Sequence, residues 1–99
     1  MQLINENIDW IKTLCSKNKV ESLYAFGSIT KGTFNEKSDI DLVVEIFGTD
    51  PLEYSDNYFN LKFSLEDTLG RKIDLLESKA IKNPYLLKEI EKTKVLIYG

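Results

Sequence analysis

The 99-residue sequence predicts a small α/β fold in which helices cover one sheet. Two observations predict it. Short runs of β-branched and aromatic residues alternate with longer stretches whose apolar residues recur at helical spacing. Glycines, an Asp-Pro step and an Asn-Pro step separate these runs, at points where helices commonly begin or end. The predicted order is helix, strand, short helix, strand, helix, strand, helix, and a final strand or extended tail.

The first half of the chain is predicted to contain two helices and two strands. Apolar residues at helical spacing make the first segment amphipathic and place the single cysteine, Cys15, on its apolar face. The run VESLYAF is rich in β-forming residues, and Gly27 ends it. A short helix is expected after Gly27, with Gly32 at its end, and the run DIDLVVEIF forms the second strand. The predicted bounds are about 5–17, 20–26, 28–31 and 39–47.

The second half is predicted to contain two helices and two further extended segments. A turn at 48–51 leads into a long helix, with Asp50 as its cap, Pro51 at its first position and Gly70 as its C-terminal stop. Asn83 caps the last helix, before a final strand or tail. The aromatic residues of the long helix are expected to pack in the core, with a partner interface as the alternative. They are Tyr54, Tyr58, Phe59 and Phe63. The predicted bounds are about 52–69 for the long helix, 72–77 for the third strand and 95–98 for the last segment.

The composition excludes several classes of protein and site. A net charge of −3 and a pI of about 4.9 weigh against a general nucleic-acid binder, whose surface is usually basic. The absence of histidine excludes Ser-His-Asp and Cys-His catalysis and zinc sites that need histidine. Since Cys15 is the only cysteine, no internal disulfide is possible. We expect it to be a small buried apolar residue rather than a reactive thiol.

The length of the chain predicts a single domain over residues 1–99. No apolar run approaches the ~18–20 residues that are needed to cross a bilayer. The first ten residues, MQLINENIDW, lack the basic and apolar regions of a signal peptide. A cytoplasmic location is therefore expected.

Aspartates at two strands are candidate metal ligands. Asp39 and Asp41 are two residues apart, so on a strand their side chains share a face, with Cα atoms about 6.6 Å apart. Asp74 lies between apolar neighbours in KIDLLE, and it converges with them if its strand pairs with the first two. Grouped carboxylates either acquire raised pKa values or bind cations. A set of oxygen ligands without histidine or cysteine favours Mg²⁺ or Mn²⁺. Two such ions can stabilise both the attacking and the leaving oxygen of a phosphoryl-type displacement.

The turn after the first strand is a candidate phosphate site. Gly27 lets the backbone approach a ligand, and Ser28 begins a short helix whose hydroxyl and first N–H groups can bind an anion. Lys31 can reach the same phosphates as a point charge. Each of these features alone is commonly an ordinary turn, a strand entry or a solvated charge. Together, and in this order, they favour a nucleotide site.

Four segments of the sequence carry a resemblance to a known family. They are GSITKG, KSDIDLVV, KIDLLE and the tail NPYLLKEIEKTKVLIYG. Gly-Ser followed after ten residues by Asp-x-Asp resembles the signature of the DNA polymerase β-like nucleotidyltransferase superfamily, and in particular its minimal single-domain members. The third segment resembles the strand of their third acid, and the tail resembles their closing helix and final tyrosine. The resemblance implies a mixed, twisted sheet with helices packed on one side.

The resemblance also implies roles for six residues. Gly27 and Ser28 would hold the triphosphate of an NTP, with Lys31 at a basic position common in that loop. Two divalent ions would be bound by a set of three aspartates, of which the last would also help to deprotonate the acceptor hydroxyl. They are Asp39, Asp41 and Asp74. The cofactors implied are two Mg²⁺ ions, with Mn²⁺ possible, and ATP as co-substrate.

The reaction that follows is transfer of a nucleoside monophosphate, AMP by resemblance, from an NTP to a hydroxyl group. The chain has little length for a second substrate-binding domain, so a partner chain is expected to supply that surface. By resemblance, the partner is a HEPN toxin, a ribonuclease, and the acceptor is one of its tyrosines, which makes this chain the antitoxin. Two alternatives stay open: nucleotidylation of a small molecule such as an aminoglycoside by a homodimer, and a non-catalytic module that neutralises a toxin by binding it. A two-metal nuclease is disfavoured by the Gly-Ser turn and the acidic pI.

Overall fold

Four strands and five α-helices make up the part of the chain that the computed structural model describes, residues 1–48 and 50–99. Residue 49, within the predicted turn at 48–51, lies outside the described residues. In chain order the elements are α1 (Gln2–Glu6), α2 (Ile8–Lys17), β1 (Val20–Phe26), α3 (Ser28–Lys31), β2 (Ile40–Ile46), α4 (Pro51–Leu69), β3 (Ile73–Glu77), a 3₁₀ turn (Ser78–Ala80), α5 (Pro84–Thr93) and β4 (Val95–Tyr98).

The first helical segment differs from its prediction because it is divided into α1 and α2 at Asn7. The Asn7 side chain donates to the carbonyl of Leu3 at 2.9 Å, and its own N–H bonds to Ile4 three residues back at 3.0 Å. Asparagine side chains compete with the helical backbone for such bonds, which ends the first helix there. The helical region also begins earlier than expected, at Gln2.

The long helix and the last helix begin and end at the capping residues that the sequence predicts. The Asp50 carboxylate accepts a hydrogen bond from the N–H of Leu52 at 2.9 Å, and Pro51 occupies the first helical position. Gly70 ends the helix in the left-handed conformation, at φ 63°. Asn83 caps α5 in the same way as Asp50 caps α4, with its side chain bonded to the N–H of Tyr85.

The sheet is mixed, with the strand order β3-β2-β1-β4. β1 pairs antiparallel with β2 and with β4, whereas β2 and β3 are parallel. Parallel neighbours need a crossover connection, which α4 provides. The predicted final segment at 95–98 is therefore a strand at the sheet edge rather than an extended tail, and the α/β fold class is confirmed.

Most of the apolar core lies on one face of the sheet. The inward residues of β2 alternate along the strand as predicted, and Cys15 is fully buried beside them, as expected. Helices α1, α2 and α4 cover this face. Their fully or almost fully buried side chains are Ile4, Ile11, Leu14, Cys15, Leu61, Leu65 and Leu69, packed against Leu23, Ala25, Ile40, Leu42, Val44, Ile73 and Leu75 of the sheet.

A second, smaller cluster lies on the opposite face of the sheet. Ile90 of α5 packs there against Phe26 and Val43, whose side chains alternate with those of the main core. The implied arrangement with helices on one side only is therefore wrong, because α5 covers the second face. This matters for the site, since Phe26 pairs with Asp41 in the sheet register.

Two of the four aromatic residues on α4 do not pack in the core. Phe59 is 46% exposed and Phe63 is 56% exposed, with their rings stacked at 5.8 Å, so the expectation of core packing is wrong for this pair. Tyr54 and Tyr58 are partly buried against the core, and the Tyr58 hydroxyl donates to a backbone carbonyl of β3 at 2.5 Å.

Among the described helices, none has the length and apolar character that a membrane span requires.

Candidate active site

Two of the three predicted metal-binding aspartates lie side by side on neighbouring parallel strands. Asp41 of β2 stands opposite Asp74 of β3 in the register, and opposite Phe26 of β1 on its other side. Neighbouring strands are about 4.8 Å apart, so the two carboxyl groups lie close together on the same face, at the same end of the sheet. Asp39 is the first residue of the predicted strand, but the observed strand begins one residue later, at Ile40.

The pKa of Asp41 reflects its partial burial and the charges of the other two acids. It is raised above its ordinary value, first because the carboxyl group is partly buried, and then because of the negative charges of Asp74 and Asp39. The other two acids are more exposed to solvent than Asp41. The site therefore favours a proton or a cation next to Asp41, as expected for grouped carboxylates.

Gly27 forms the other side of the candidate site, close to the carboxylate of Asp41. Its backbone has φ 73° and ψ −146°, a conformation that is strained for every residue except glycine. A Cβ atom at this position would lie 2.7 Å from Oδ2 of Asp41, well inside van der Waals contact. Glycine is thus required both for the turn and for the approach of the carboxylate.

The polar backbone groups of Gly27 are bonded within the protein. Its N–H donates to Oγ1 of Thr93 at 3.1 Å, and its carbonyl accepts from the N–H and the hydroxyl of Thr30, at 3.1 and 2.8 Å. The N–H groups for an anion would therefore come from the start of α3, at Ser28 and beyond, where a helix has no internal partners for them. The predicted short helix has the predicted bounds, Ser28–Lys31.

Lys31 lies at the end of α3 and forms an ion pair with α5. Its Nζ is 2.6 Å from Oε1 of Glu89, and both side chains are about half exposed. The hydrogen bond and the positive charge of Lys31 lower the pKa of Glu89. The predicted phosphate ligand is thus adjacent to the Gly-Ser turn, but a carboxylate holds it.

Arg71 is a residue of this region that sequence reasoning missed. Its guanidinium group donates to the backbone carbonyls of Asn35, at 2.7 Å, and Ser38, at 2.5 Å, and it stacks 4.4 Å above the ring of Phe34. These contacts hold the loop between α3 and β2, which leads directly to Asp39. Only the tertiary structure brings Arg71 to this loop, so no local pattern could have identified it.

The three aspartates do not form a closed metal-binding cage. Within residues 1–48 and 50–99, no group of three or more His, Cys, Asp or Glu side chains is arranged to hold a metal ion by itself. Two cavities, of about 220 and 470 Å³, are lined by other residues. Because Mg²⁺ commonly uses one or two carboxylates and completes its coordination with phosphate oxygens and water, an open pair of acids suits that ion.

Comparisons with known proteins agree with the resemblance. The family model "Polymerase beta, Nucleotidyltransferase" matches residues 9–99. A protein of Methanocaldococcus jannaschii named "Putative protein adenylyltransferase MJ0128" is 44% identical over 87 residues, which is 87% of this chain and 85% of that protein.

Solved structures share the fold. One described as "Structure of putative minimal nucleotidyltransferase" has a TM-score of 0.77 at 23% identity, and covers 95% of this chain and 92% of that one. "Crystal structure of the toxin-antitoxin with AMP-PNP" has a TM-score of 0.71 at 25% identity, covering 94% and 73%. A Shewanella oneidensis complex of a tri-AMPylated HEPN toxin with an MNT antitoxin has a TM-score of 0.64 at 22% identity, covering 100% and 73%. The predicted resemblance is confirmed, and this chain belongs to the polymerase beta nucleotidyltransferase family.

Proposed function

We propose that this chain transfers AMP from ATP to a hydroxyl group of a partner protein and releases pyrophosphate. The contact between Gly27 and the carboxylate of Asp41 carries the proposal. It places the predicted phosphate turn next to the aspartates at one end of the sheet, where Asp74 is the register partner of Asp41. Phosphoryl-type transfer needs both parts within reach of one triphosphate.

The residues at this edge fit divalent metal ions. All candidate ligands are carboxylate oxygens, and the chain has no histidine. The pKa of Asp41 is raised first by burial and then by the negative charges of Asp74 and Asp39, which a bound cation would offset. Asp39, Asp41 and Asp74 would hold two Mg²⁺ ions, or Mn²⁺ in their place. When bound, such ions neutralise charge on the triphosphate and stabilise the attacking and leaving oxygens.

The residues of the chain then have distinct roles. The Gly27–Ser28 turn and the first N–H groups of α3 orient the triphosphate, and Lys31 adds a positive charge. Asp74 takes the proton of the acceptor hydroxyl while the oxygen of that hydroxyl forms a bond to the α-phosphorus. The bond from that phosphorus to the bridging oxygen breaks in line, and pyrophosphate leaves with the electron pair.

A tyrosine of a HEPN toxin is the proposed acceptor, which makes this chain an antitoxin. A relative with 44% identity is named as a protein adenylyltransferase, and a toxin-antitoxin complex with AMP-PNP shares the fold at 25% identity. The stacked, half-exposed rings of Phe59 and Phe63 support a protein partner, since aromatic residues are enriched at protein interfaces.

The experiment is incubation of the purified protein with Mg²⁺, ATP labelled at the α-phosphorus, and a candidate HEPN protein. We expect label on a tyrosine of the HEPN protein and release of pyrophosphate. An Asp41→Asn variant should lose the transfer. The control is Asp67→Asn, which removes an exposed carboxylate on α4 and should keep the transfer.

Other outcomes would contradict the proposal. Label on an added small hydroxyl compound, with none on the protein partner, would favour small-molecule nucleotidylation by a homodimer. If an Asp39→Ala/Asp41→Ala variant still blocks the ribonuclease activity of the toxin, the chain acts by binding alone. Equal labelling by wild type and Asp41→Asn would show that the carboxylate of Asp41 is not needed for the transfer.

A further inference from the structure

We propose that Thr93 is a positioning residue of the transfer site, holding Gly27 against the carboxylate of Asp41. This inference rests on the proposed function, because it concerns the same site. Thr93 is the last residue of α5 and is separated from Gly27 by 66 positions in sequence. Its hydroxyl is nevertheless the hydrogen-bond partner of the Gly27 N–H, at 3.1 Å.

The orientation of the Thr93 hydroxyl is fixed by a second hydrogen bond. Oγ1 donates its single proton to the carbonyl of Glu89, four residues earlier on α5, at 2.8 Å. A hydroxyl has one donor and two acceptor positions, so with its proton committed to the helix it can only accept from the turn. Thr93 is partly buried, which protects both bonds from competition with water.

Three contacts together hold Gly27. Thr93 binds its N–H, Thr30 binds its carbonyl with two hydrogen bonds, and Oδ2 of Asp41 lies 2.7 Å from the position that a Cβ on Gly27 would occupy. Glycine has more backbone freedom than any other residue, so its position depends on such contacts. Loss of the Thr93 bond therefore releases the side of the turn that faces α5, and loosens the spacing between the turn and Asp41.

A second contact from the same helix supports this role for α5. Glu89 lies one helical turn before Thr93, on the same face, and its carboxylate pairs with Lys31 at the other end of α3. The C-terminal half of α5 thus contacts the residue before α3 and the last residue of α3. Ile90 anchors this part of the helix in the smaller apolar cluster on the second face of the sheet.

The test compares Thr93→Val with Thr93→Ser and Thr13→Val in AMP transfer. Valine keeps the shape of threonine but removes both hydrogen bonds, whereas serine keeps the hydroxyl. Thr13 makes the same i to i−4 bond, to Asp9 at 3.0 Å, on an exposed face of α2. It serves as the matched control.

We expect Thr93→Val to lower kcat/KM for ATP about tenfold, corresponding to about one hydrogen bond. The loss should fall mainly on kcat, because the spacing of turn and carboxylate sets the geometry of the transfer rather than the initial binding of ATP. Thr93→Ser should restore most of the rate, and Thr13→Val should match wild type. Amide hydrogen exchange at Gly27 should become faster in Thr93→Val alone.

Several results would overturn the inference. Unchanged kinetics in Thr93→Val, or a loss that follows only the fraction of folded protein, would show a purely structural role. Failure of serine to restore the rate would also count against the hydroxyl. If wild type itself transfers nothing, the proposed function fails first. Amide hydrogen exchange then decides the role of Thr93, and equal exchange at the Gly27 N–H in wild type and Thr93→Val overturns it.

Discussion

Replacement of Gly27 by alanine tests the geometry of the site most directly. The added Cβ would lie 2.7 Å from Oδ2 of Asp41, and ordinary contact begins at 3.4 Å, so the carboxylate must move by about 0.7 Å (3.4 minus 2.7). A displacement of about 1 Å in a reacting group can reduce a rate by about 100-fold. We therefore expect Gly27→Ala to lower kcat/KM for AMP transfer by between about tenfold and about 100-fold.

The same substitution also costs stability, because alanine is strained at φ 73° and ψ −146°. Such a backbone conformation costs about 1–3 kcal/mol for a residue other than glycine. In a chain of this size each kcal/mol lowers Tm by about 4–8 °C. Activity must therefore be measured well below Tm and normalised to folded protein by circular dichroism.

Gly70→Ala is the matched control for strain. Gly70 also has a positive φ, 63°, but an added Cβ there would meet no atom within 4 Å, so the substitution would not displace Asp41 directly. We expect it to lower Tm by several degrees, from about 1 kcal/mol of strain, and to leave the specific activity of the folded protein unchanged. Full specific activity in Gly27→Ala would refute the claim that transfer requires this spacing. Equal loss of specific activity in both variants would assign the effect to strain alone.

Three further predictions concern the core, the cysteine and the Lys31 ion pair. Leu61→Ala should lower the free energy of unfolding by about 2–5 kcal/mol in urea titration, since Leu61 is fully buried, while Leu61→Met should cost less than about 1.5 kcal/mol. Burial raises the pKa of the Cys15 thiol from its ordinary 9.0 to about 12. The folded state therefore binds this proton more tightly than the unfolded state. The stabilisation that this bound proton provides should be complete below pH 9 and be lost as pH rises toward 12. The native Cys15 thiol should not react with Ellman's reagent at pH 8. Glu89→Gln should tighten ATP binding in calorimetry by about twofold to fivefold, because it frees Lys31 and removes a negative charge from the exposed pair.

Each of these has a result that contradicts it. A loss below about 1 kcal/mol in Leu61→Ala would place that residue outside the tightly packed core. Rapid labelling of native Cys15 at pH 8, at the rate seen in denaturant, would show that the thiol is accessible. For Glu89→Gln the control is Glu91→Gln, whose carboxylate pairs with Lys94 at 3.0 Å instead. Equal changes in ATP affinity for both variants would attribute the effect to net charge.

The sequence predicted the local elements of the candidate site closely. VESLYAF has the composition of a strand and is followed by a glycine, and the predicted bounds of β1 and α3 match the structure. The caps at Asp50 and Asn83 also match, because a cap depends on residues within one turn of the helix end. The aspartates could be named as candidates from their spacing, but Asp39 lies just before the observed strand, so the predicted shared strand face applies only to Asp41.

Contacts between distant segments escaped prediction. The exposed rings of Phe59 and Phe63 and the loop contacts of Arg71 depend on which surfaces the folded chain covers. The side of the sheet on which α5 packs was predicted wrongly for the same reason. An apolar stripe shows that a helix is amphipathic, but not which face of the sheet will bury it.

The sequence by itself determined the family and the strand and turn that carry Gly27 and Asp41, and its lack of histidine favours oxygen atoms as ligands of the proposed metal ions. These follow from spacing and from residue chemistry, which act over a few positions of the chain. Only the tertiary structure decided that Asp74 stands beside Asp41, that Thr93 holds the Gly27 N–H, and that Glu89 holds Lys31. The pairing of strands and the packing of α5 bring these residues together from 33 to 66 positions apart, and the free energy that favours this pairing and packing comes from burial of the whole core rather than from any local pattern.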